Sequence, residues 1–441
     1  MTTRDLDESR TWLLRRSPEI RGLFISIFTM GFTAGSLRFL IPFQILNLGG
    51  SEALMSLASS LFGVGQVLGL VVVSRLFQRR RSSFLASGLL LSVFTVAMAA
   101  TPDESVLVIS RLSEGAALGL LTILIVKISS QFRDHRGEAV GTLLSALFMG
   151  SAIGQGTAGL LVEYASVALS YQQADAIRLL ALVLSLPLFA VVAAIALRAG
   201  RDPMSPNEER DEHRHVHLSQ LMRAILSRRM ILLTTVYFLY DFSHGFYTPV
   251  LSVLINNNGV PIDQIGIGYL SGDIVWSLVQ LYAGRVVDRI GHLFPLVLSL
   301  TAKGLVVFFY PGVTTLLSLL PLLALAGVAE GFLEPARNDA AMAYSPADGL
   351  THDHPHFYIA HAPGVPFSLS RHEHEHTHVT GSDQVVSVLQ TIGIIGFVLG
   401  SGGGAWLLVY GTALSTLVVV GGYVLIVAGV AALGLREQKR Q

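Results

Sequence analysis

Residues 176–197 read AIRLLALVLSLPLFAVVAAIAL, with Arg178 the only charged residue in the run. A helix needs about 20 mostly apolar residues to cross a bilayer, and this stretch supplies them. Working outward, comparable runs lie at about 22–47, 53–74, 83–101, 105–130 and 139–165 before it. Others follow at about 229–255, 264–284, 293–312, 314–343, 383–409 and 411–435. The whole chain of 441 residues is 51% hydrophobic and 14% charged, where a soluble domain carries about 25% charged residues. Its mean hydropathy is +0.59. These values exclude a soluble enzyme, a disordered chain and a single-anchor receptor. The 30 basic residues balance 30 acidic ones, which gives nucleic acid no basic surface. The absence of cysteine removes disulfides, thiolate metal sites and thiol catalysis. The opening MTTRDLDESRTWLLRRSPEIRG is too charged for a cleavable signal peptide.

Basic residues set the expected orientation. Arg15, Arg16 and Arg21 precede the first run, and Arg75, Arg79, Arg80 and Arg81 follow the second. Arg133 and Arg136 follow the fourth, and Arg198 to Arg229 follow the sixth. Arg285 and Arg289 follow the eighth, and Arg436, Lys439 and Arg440 end the chain. The alternate loops 47–52, 101–104 and 256–263 have none. Positive charge marks the cytoplasmic side. The expectation is an all-α membrane protein with twelve transmembrane helices and both termini cytoplasmic, in the cytoplasmic (inner) membrane. Residues 1–197 form one six-helix bundle, 198–228 a cytoplasmic linker, and 229–441 a second bundle with a His-rich cytoplasmic insertion at 345–382.

The halves repeat faintly. Glu114-Gly115 in the fourth run matches Glu330-Gly331 in the tenth. Gly150-x3-Gly154 in the fifth matches Gly396-x3-Gly400 in the eleventh. Parallel six-span repeats around a midplane site are a known transporter plan.

Gly284-Arg285-Val286-Val287-Asp288-Arg289-Ile290-Gly291-His292 resembles the loop signature G-x3-D-R-x-G-x of the major facilitator superfamily of secondary transporters. Arg111-Leu112-Ser113-Glu114-Gly115 is similar to the family's R-x3-G signature. Gly141, Gly150, Gly154 and Gly159 resemble its antiporter signature, with Gln155 at the proline position. The resemblance implies two pseudo-symmetric bundles and alternating access. It also implies a conformational gate at Gly284, Asp288, Arg289 and Gly291, close helix packing at the glycines, and export coupled to protons.

Ionisable residues inside a bilayer are costly and mark function by default. The first half offers Arg38, Arg111, Glu114 and Lys127. The second offers Asp241, His244, Asp273, Lys303, Glu330, Glu334, Arg337 and Asp339. Asp241 and His244 share a helical face, as do Glu330, Glu334 and Arg337. Arg38, Arg111, Glu114, Asp241, His244, Glu330 and Glu334 are the candidate substrate and proton cavity. Lys127, Lys303 and Asp339 read as structural or helix-end charges.

His352, His354, His356, His361, His372, His374, His376 and His378 crowd the insertion, four of them alternating. Imidazole suits divalent transition metals, and His-rich tracts bind metal by composition. The loop is therefore a candidate metal binder, with Asp241 and His244 as the core candidate. No cofactor is required; Zn, Ni, Co, Fe or Mn are the divalent metals to consider. The favoured expectation is an exporter of divalent transition metal. Proton-coupled efflux of a small organic molecule is the alternative, and a non-transporting metal sensor the second. Lipid, cargo and protons are the expected partners of a monomer. No HExxH, phosphate loop or nucleophile–base set points to an enzyme.

Overall fold

The computed structural model describes residues 18–73, 76, 80–129, 136–197, 227–344, 356–357, 371–372, 382–410 and 413–435. Nearly all are helical. The helices are α1 (Pro18–Asn47), α2 (Glu52–Leu68, prolonged by a π turn at Gly69–Val73), α3 (Arg80–Ala100), α4 (Glu104–Ser129), α5 (Arg136–Ala168) and α6 (Gln173–Leu197). Then come α7 (Arg228–Asn257), α8 (Ile262–Ile290), α9 (Leu293–Phe309, followed by a 3₁₀ turn at Tyr310–Gly312), α10 (Leu316–Tyr344), α11 (Ser382–Tyr410) and α12 (Ala413–Gly434). Among the described residues, nine helical segments are long and apolar enough to cross a membrane. Helices α7 and α8 are not among them, and α11 contributes a shorter apolar segment, Val388–Gly404. The reason is chemical: α7 carries Asp241 and His244 in its middle, and α8 carries Asp273.

Local chemistry fixes the helix ends. The Ser51 hydroxyl accepts the Leu54 amide at the start of α2, and Ser227 caps α7 by accepting from Met230. Such caps satisfy amides that the helix leaves unpaired. Gly49 and Gly259 close α1 and α7 at φ 91° and 97°. Each sits in the same pair of bonds: Gly49 to Leu46 and Gly50 to Ile45, Gly259 to Asn256 and Val260 to Ile255. This is the Schellman geometry, which needs a left-handed residue and favours glycine.

The repeat seen in sequence reappears as packing. Gly150 and Gly154 of α5 lie on the backbone carbonyls of Phe28 and Phe32 of α1. Gly396 and Gly400 of α11 lie on those of Phe238 and Phe242 of α7. The two phenylalanine pairs stack alike, with ring centroids 6.4 Å and 6.1 Å apart. Gly115 of α4 meets the Phe62 carbonyl of α2, as Gly331 of α10 meets Trp276 and Val279 of α8. A side chain at the α5 and α11 glycines would occupy space the neighbouring backbone already fills. Gly159 differs from its signature partners, since it faces Ile262 and Gly266 of α8. The surroundings of Gly141 fall outside the described residues.

In the first set α1 packs on α5, α2 on α4, and α3 on α4 and α6. In the second, α7 packs on α11, α8 on α10, and α9 on α12. The sets join through α5 with α8 and α2 with α11. Ser60 of α2 donates to the Val398 carbonyl of α11 at 3.0 Å, and Gly156 of α5 rests on Leu270 of α8. The contacts of Ser60, Gly63, Gly156 and Gly159 across this seam lie in the half of the molecule that holds Asn47, Glu52 and Ile262. Outward faces keep exposed apolar side chains, including Leu186, Val419, Ile426 and Leu433, as lipid-facing helices do.

Within the His-rich insertion, His356–Phe357 pairs antiparallel with Arg371–His372, placing His356 opposite His372 along the backbone. His352, His354, His361, His374, His376 and His378 lie outside the described residues, as does most of the 198–228 linker.

Candidate functional site

Three groups of charge sit in the middle of the helices. The first belongs to α1, α2 and α4. Glu114 is wholly buried and is shared by two arginines. Arg111, one turn earlier on α4, pairs with it directly. Arg38 of α1 reaches it through Nε at 3.4 Å. Both guanidinium groups lie over the Phe62 ring, 4.6 Å and 4.7 Å from its centroid. An aromatic face attracts a cation, more strongly when water is excluded. Two cations on one carboxylate leave a surplus positive charge. Arg38, with 41% of its side chain exposed, presents that surplus.

The second group links α7, α9 and α10. Lys303 Nζ lies 2.6 Å from Glu330 Oε1. Tyr240 donates its hydroxyl to the same oxygen at 2.5 Å. His244 stands 3.9 Å away through Nδ1, and its ring also meets the Tyr247 hydroxyl at 3.2 Å. The third group lies one turn further along α10. Arg337 is clasped between Asp241 of α7, at 3.2 Å, and Glu334, its neighbour three residues back. Tyr237 supports it, with the guanidinium 4.3 Å over its ring.

Asp273 of α8 stands at the seam. It accepts from Gln155 Nε2 of α5 at 2.9 Å, and its charge acts on Arg38, Lys303 and Glu330. Aromatic pairs flank this meeting point: Phe148 with Trp276 at 5.1 Å, and Phe39 with Tyr269 at 5.9 Å. A separate crevice of about 270 Å³, lined by Val96, Ala99, Arg178 and Ser185, lies between α3 and α6 and holds none of these groups.

The sequence-derived residues therefore gather, in partnerships that spacing alone did not show. Arg38, Arg111 and Glu114 meet. Glu334 and Arg337 pair, as their helical spacing allowed. Asp241 and His244 share a face of α7 but serve different partners. Among the described residues no three His, Asp or Glu side chains stand where they could hold a metal ion. Arg337 is paired with Asp241 and Glu334, and Lys303 with Glu330. Lys303, which reads as structural or helix-end from sequence, is 7% exposed and forms an ion pair with Glu330. Tyr240 and Tyr247 escaped notice, and Gln155 was seen only at the proline position of a signature, because uncharged polar residues give little hydropathy signal.

At the other end of the molecule, Gly291 stops α8 with φ 78°, its amide bonding the Val287 carbonyl. His292 then turns inward, with Nδ1 3.0 Å from Asp339 and Nε2 2.8 Å from the Tyr344 hydroxyl. Asp339 is thus tied at its helix end. Arg289 is exposed. The side chains of Arg285 and Asp288, the surroundings of Gly284 and the side chain of Lys127 fall outside the described residues.

The comparisons agree with this architecture. The family model "Major Facilitator Superfamily" matches residues 23–352. The nucleoside transporter NupG is 13% identical, with a TM-score of 0.65 over 96% of this chain and 100% of that one. A bacterial homolog of the human lysosomal transporter Spinster, described as inward-facing and unoccupied, is 14% identical, with a TM-score of 0.65 over 95% and 98%. The peptide transporter POT is 14% identical, with a TM-score of 0.64 over 94% and 93%. At such identities the likeness is one of fold. Among curated proteins there is no match. With the motif after α8, the paired glycine helices and a family model spanning most of its length, the chain belongs to the major facilitator superfamily, as a multi-pass transporter of the cytoplasmic membrane.

Proposed function

We propose that the protein exports a small polar organic molecule by alternating access, in exchange for protons. The observation that carries this reading is the divided polar centre. Arg38, Arg111 and Glu114 belong to one helix set, Lys303, Glu330, His244 and Asp241 to the other, and the two sets meet through α5 with α8 and α2 with α11. A surplus positive charge at Arg38 faces acidic and aromatic groups, so the cargo suited to it carries both polar and ring character. Twelve spans with cytoplasmic termini would place the Asn47 end outside and the His292 end inside. In this reading the contacts of Ser60, Gly63, Gly156 and Gly159 hold the outer end shut, and the site would open to the cytoplasm. The two sets, 1–197 and 229–441, would rock about the centre, and the monomer suffices. The loop Gly284–His292 would steady one state.

An organic cargo fits better than a divalent metal. A metal needs several free oxygen or nitrogen ligands, whereas each core carboxylate but Asp273 already holds an arginine or lysine. The test is flux in proteoliposomes for radiolabelled uridine, a labelled dipeptide, ethidium and zinc. The expected result is saturable flux of one organic probe that Arg38→Ala reduces at least tenfold. Zinc flux without organic flux, or no flux of any probe, would overturn the proposal.

A further inference from the structure

Five acids lie in the middle of the helices, and four have a cationic partner. Arg111 and Arg38 share Glu114, Lys303 holds Glu330, and Arg337 holds Asp241 and Glu334. Of these five, Asp273 alone has no cation within ion-pair distance among the described residues. Its one close donor is the neutral amide of Gln155, which belongs to the other helix set. Asp273 is eleven residues into α8, about 16 Å from that helix end at 1.5 Å per residue, and so near the middle of a core about 30 Å thick. An ionised carboxylate there is costly without a counter-charge. The groups facing it are Arg38 from α1, Lys303 from α9, Glu330 from α10 and Tyr269 on its own helix. Both cations are already engaged with other acids. The five acids outnumber the four central cations Arg38, Arg111, Lys303 and Arg337, so the centre carries one negative charge in excess while His244 is neutral.

We propose that Asp273 is a monovalent-cation subsite for which Gln155 is the placeholder. With the α5–α8 seam shut, the Gln155 amide occupies the carboxylate. When the sets part along that seam the amide withdraws, because it is carried on the other set. The carboxylate then takes one positive charge from the newly opened side and the excess is cancelled. The shared chemistry is a single positive charge, whether a proton, a sodium ion or the ammonium group of a cargo. The Gln155–Asp273 bond thereby ties the conformation of the molecule to occupancy of the subsite. This inference rests on the alternating-access reading and adds the residue where its coupling charge binds.

Electrometry on a solid-supported membrane tests it without knowledge of the cargo. Proteoliposomes of the full chain receive a pH jump, a sodium jump at constant pH, or a tetramethylammonium jump at constant pH and sodium. A cation entering a site inside the membrane gives a transient charge displacement. The wild type should give one for at least one jump, and the responding jump identifies the source. Asp273→Asn should abolish it, and Asp273→Glu should keep it. Gln155→Ala, which removes the competing donor, should lower the half-saturating cation concentration about tenfold, the scale of a hydrogen bond to a charged group. Equal displacement in Asp273→Asn and wild type overturns the proposal. So does the absence of any displacement in folded wild type, or an unchanged half-saturation in Gln155→Ala. Cargo flux in the probe panel is a separate readout. Flux with an unaltered Asp273→Asn displacement sinks the subsite and leaves the transporter standing; displacement without flux does the reverse.

Discussion

Glu114 shows what a single residue does here. It is wholly buried, and Arg111 beside it is 4% exposed at its side chain. Removing one member of a buried pair strands the other charge, at a cost of about 3–5 kcal/mol. Glu114→Ala should therefore lower the thermal midpoint markedly in fluorescence-detected size-exclusion chromatography. Arg111→Leu combined with Glu114→Leu should recover much of the loss, because the arginine then left over, Arg38, has 41% of its side chain exposed. A single variant as stable as wild type would contradict the pairing. The sequence displayed these two residues at i and i+3, and their pairing was legible. The partner of Lys303 was not. A lone lysine in an apolar run is indistinguishable from a helix-end charge until α10 brings Glu330 alongside. Asp273 was visible as an intramembrane acid, but its partner lies on α5, and no spacing rule connects residues 155 and 273.

At the scale of the element, glycine decides how closely helices approach. Gly154 sits on the Phe32 carbonyl and Gly400 on the Phe242 carbonyl, so any side chain there must push the helices apart. Gly154→Val and Gly400→Val should each destabilise by about 1–3 kcal/mol, the range for overpacking. Gly422, which has open space around it, should accept alanine with little change. Parallel melts of the three variants check this, and equal loss in all of them would refute the packing account. The glycine ridges were readable from sequence because their four-residue spacing keeps one face. Gly159 belongs to the same signature, but five residues beyond Gly154 it lies on another face of α5 and meets Gly266 of α8. Helices α7 and α8 are expected from sequence as spans; both are long helices that fall outside the nine apolar segments of membrane-crossing length, and their polar residues are the ones that converge on the centre.

For the whole molecule, the claim is that two helix sets meet at one end and can exchange that closure for the other. The chain has no cysteine, so engineered pairs report without background. A β-carbon at Gly402 would stand 3.8 Å from the Ser60 hydroxyl oxygen, which brings the two positions within reach of a cross-link. Ser60→Cys with Gly402→Cys should cross-link on oxidation and stop flux of the responding probe, with recovery on reduction. Full cross-linking with undiminished flux would show that the α2–α11 seam need not open. The matching glycine contacts of α1 with α5 and of α7 with α11 were legible from the repeated glycines, because that pattern is local. The contents of the centre were not, because they depend on which faces of six or more helices turn inward together.

The most direct measurement is the distance across that seam in the working membrane. Spin labels at Tyr171→Cys, between α5 and α6, and Leu317→Cys, at the start of α10, are exposed positions on opposite sets at the same end. Double electron–electron resonance in lipid nanodiscs should resolve two populations, one short and one longer. Their ratio should shift between wild type and Asp273→Asn, and cross-linking residues 60 and 402 in the same background should leave the short one alone. A single distance, identical in every variant and equal to that of the cross-linked protein, would contradict alternating access.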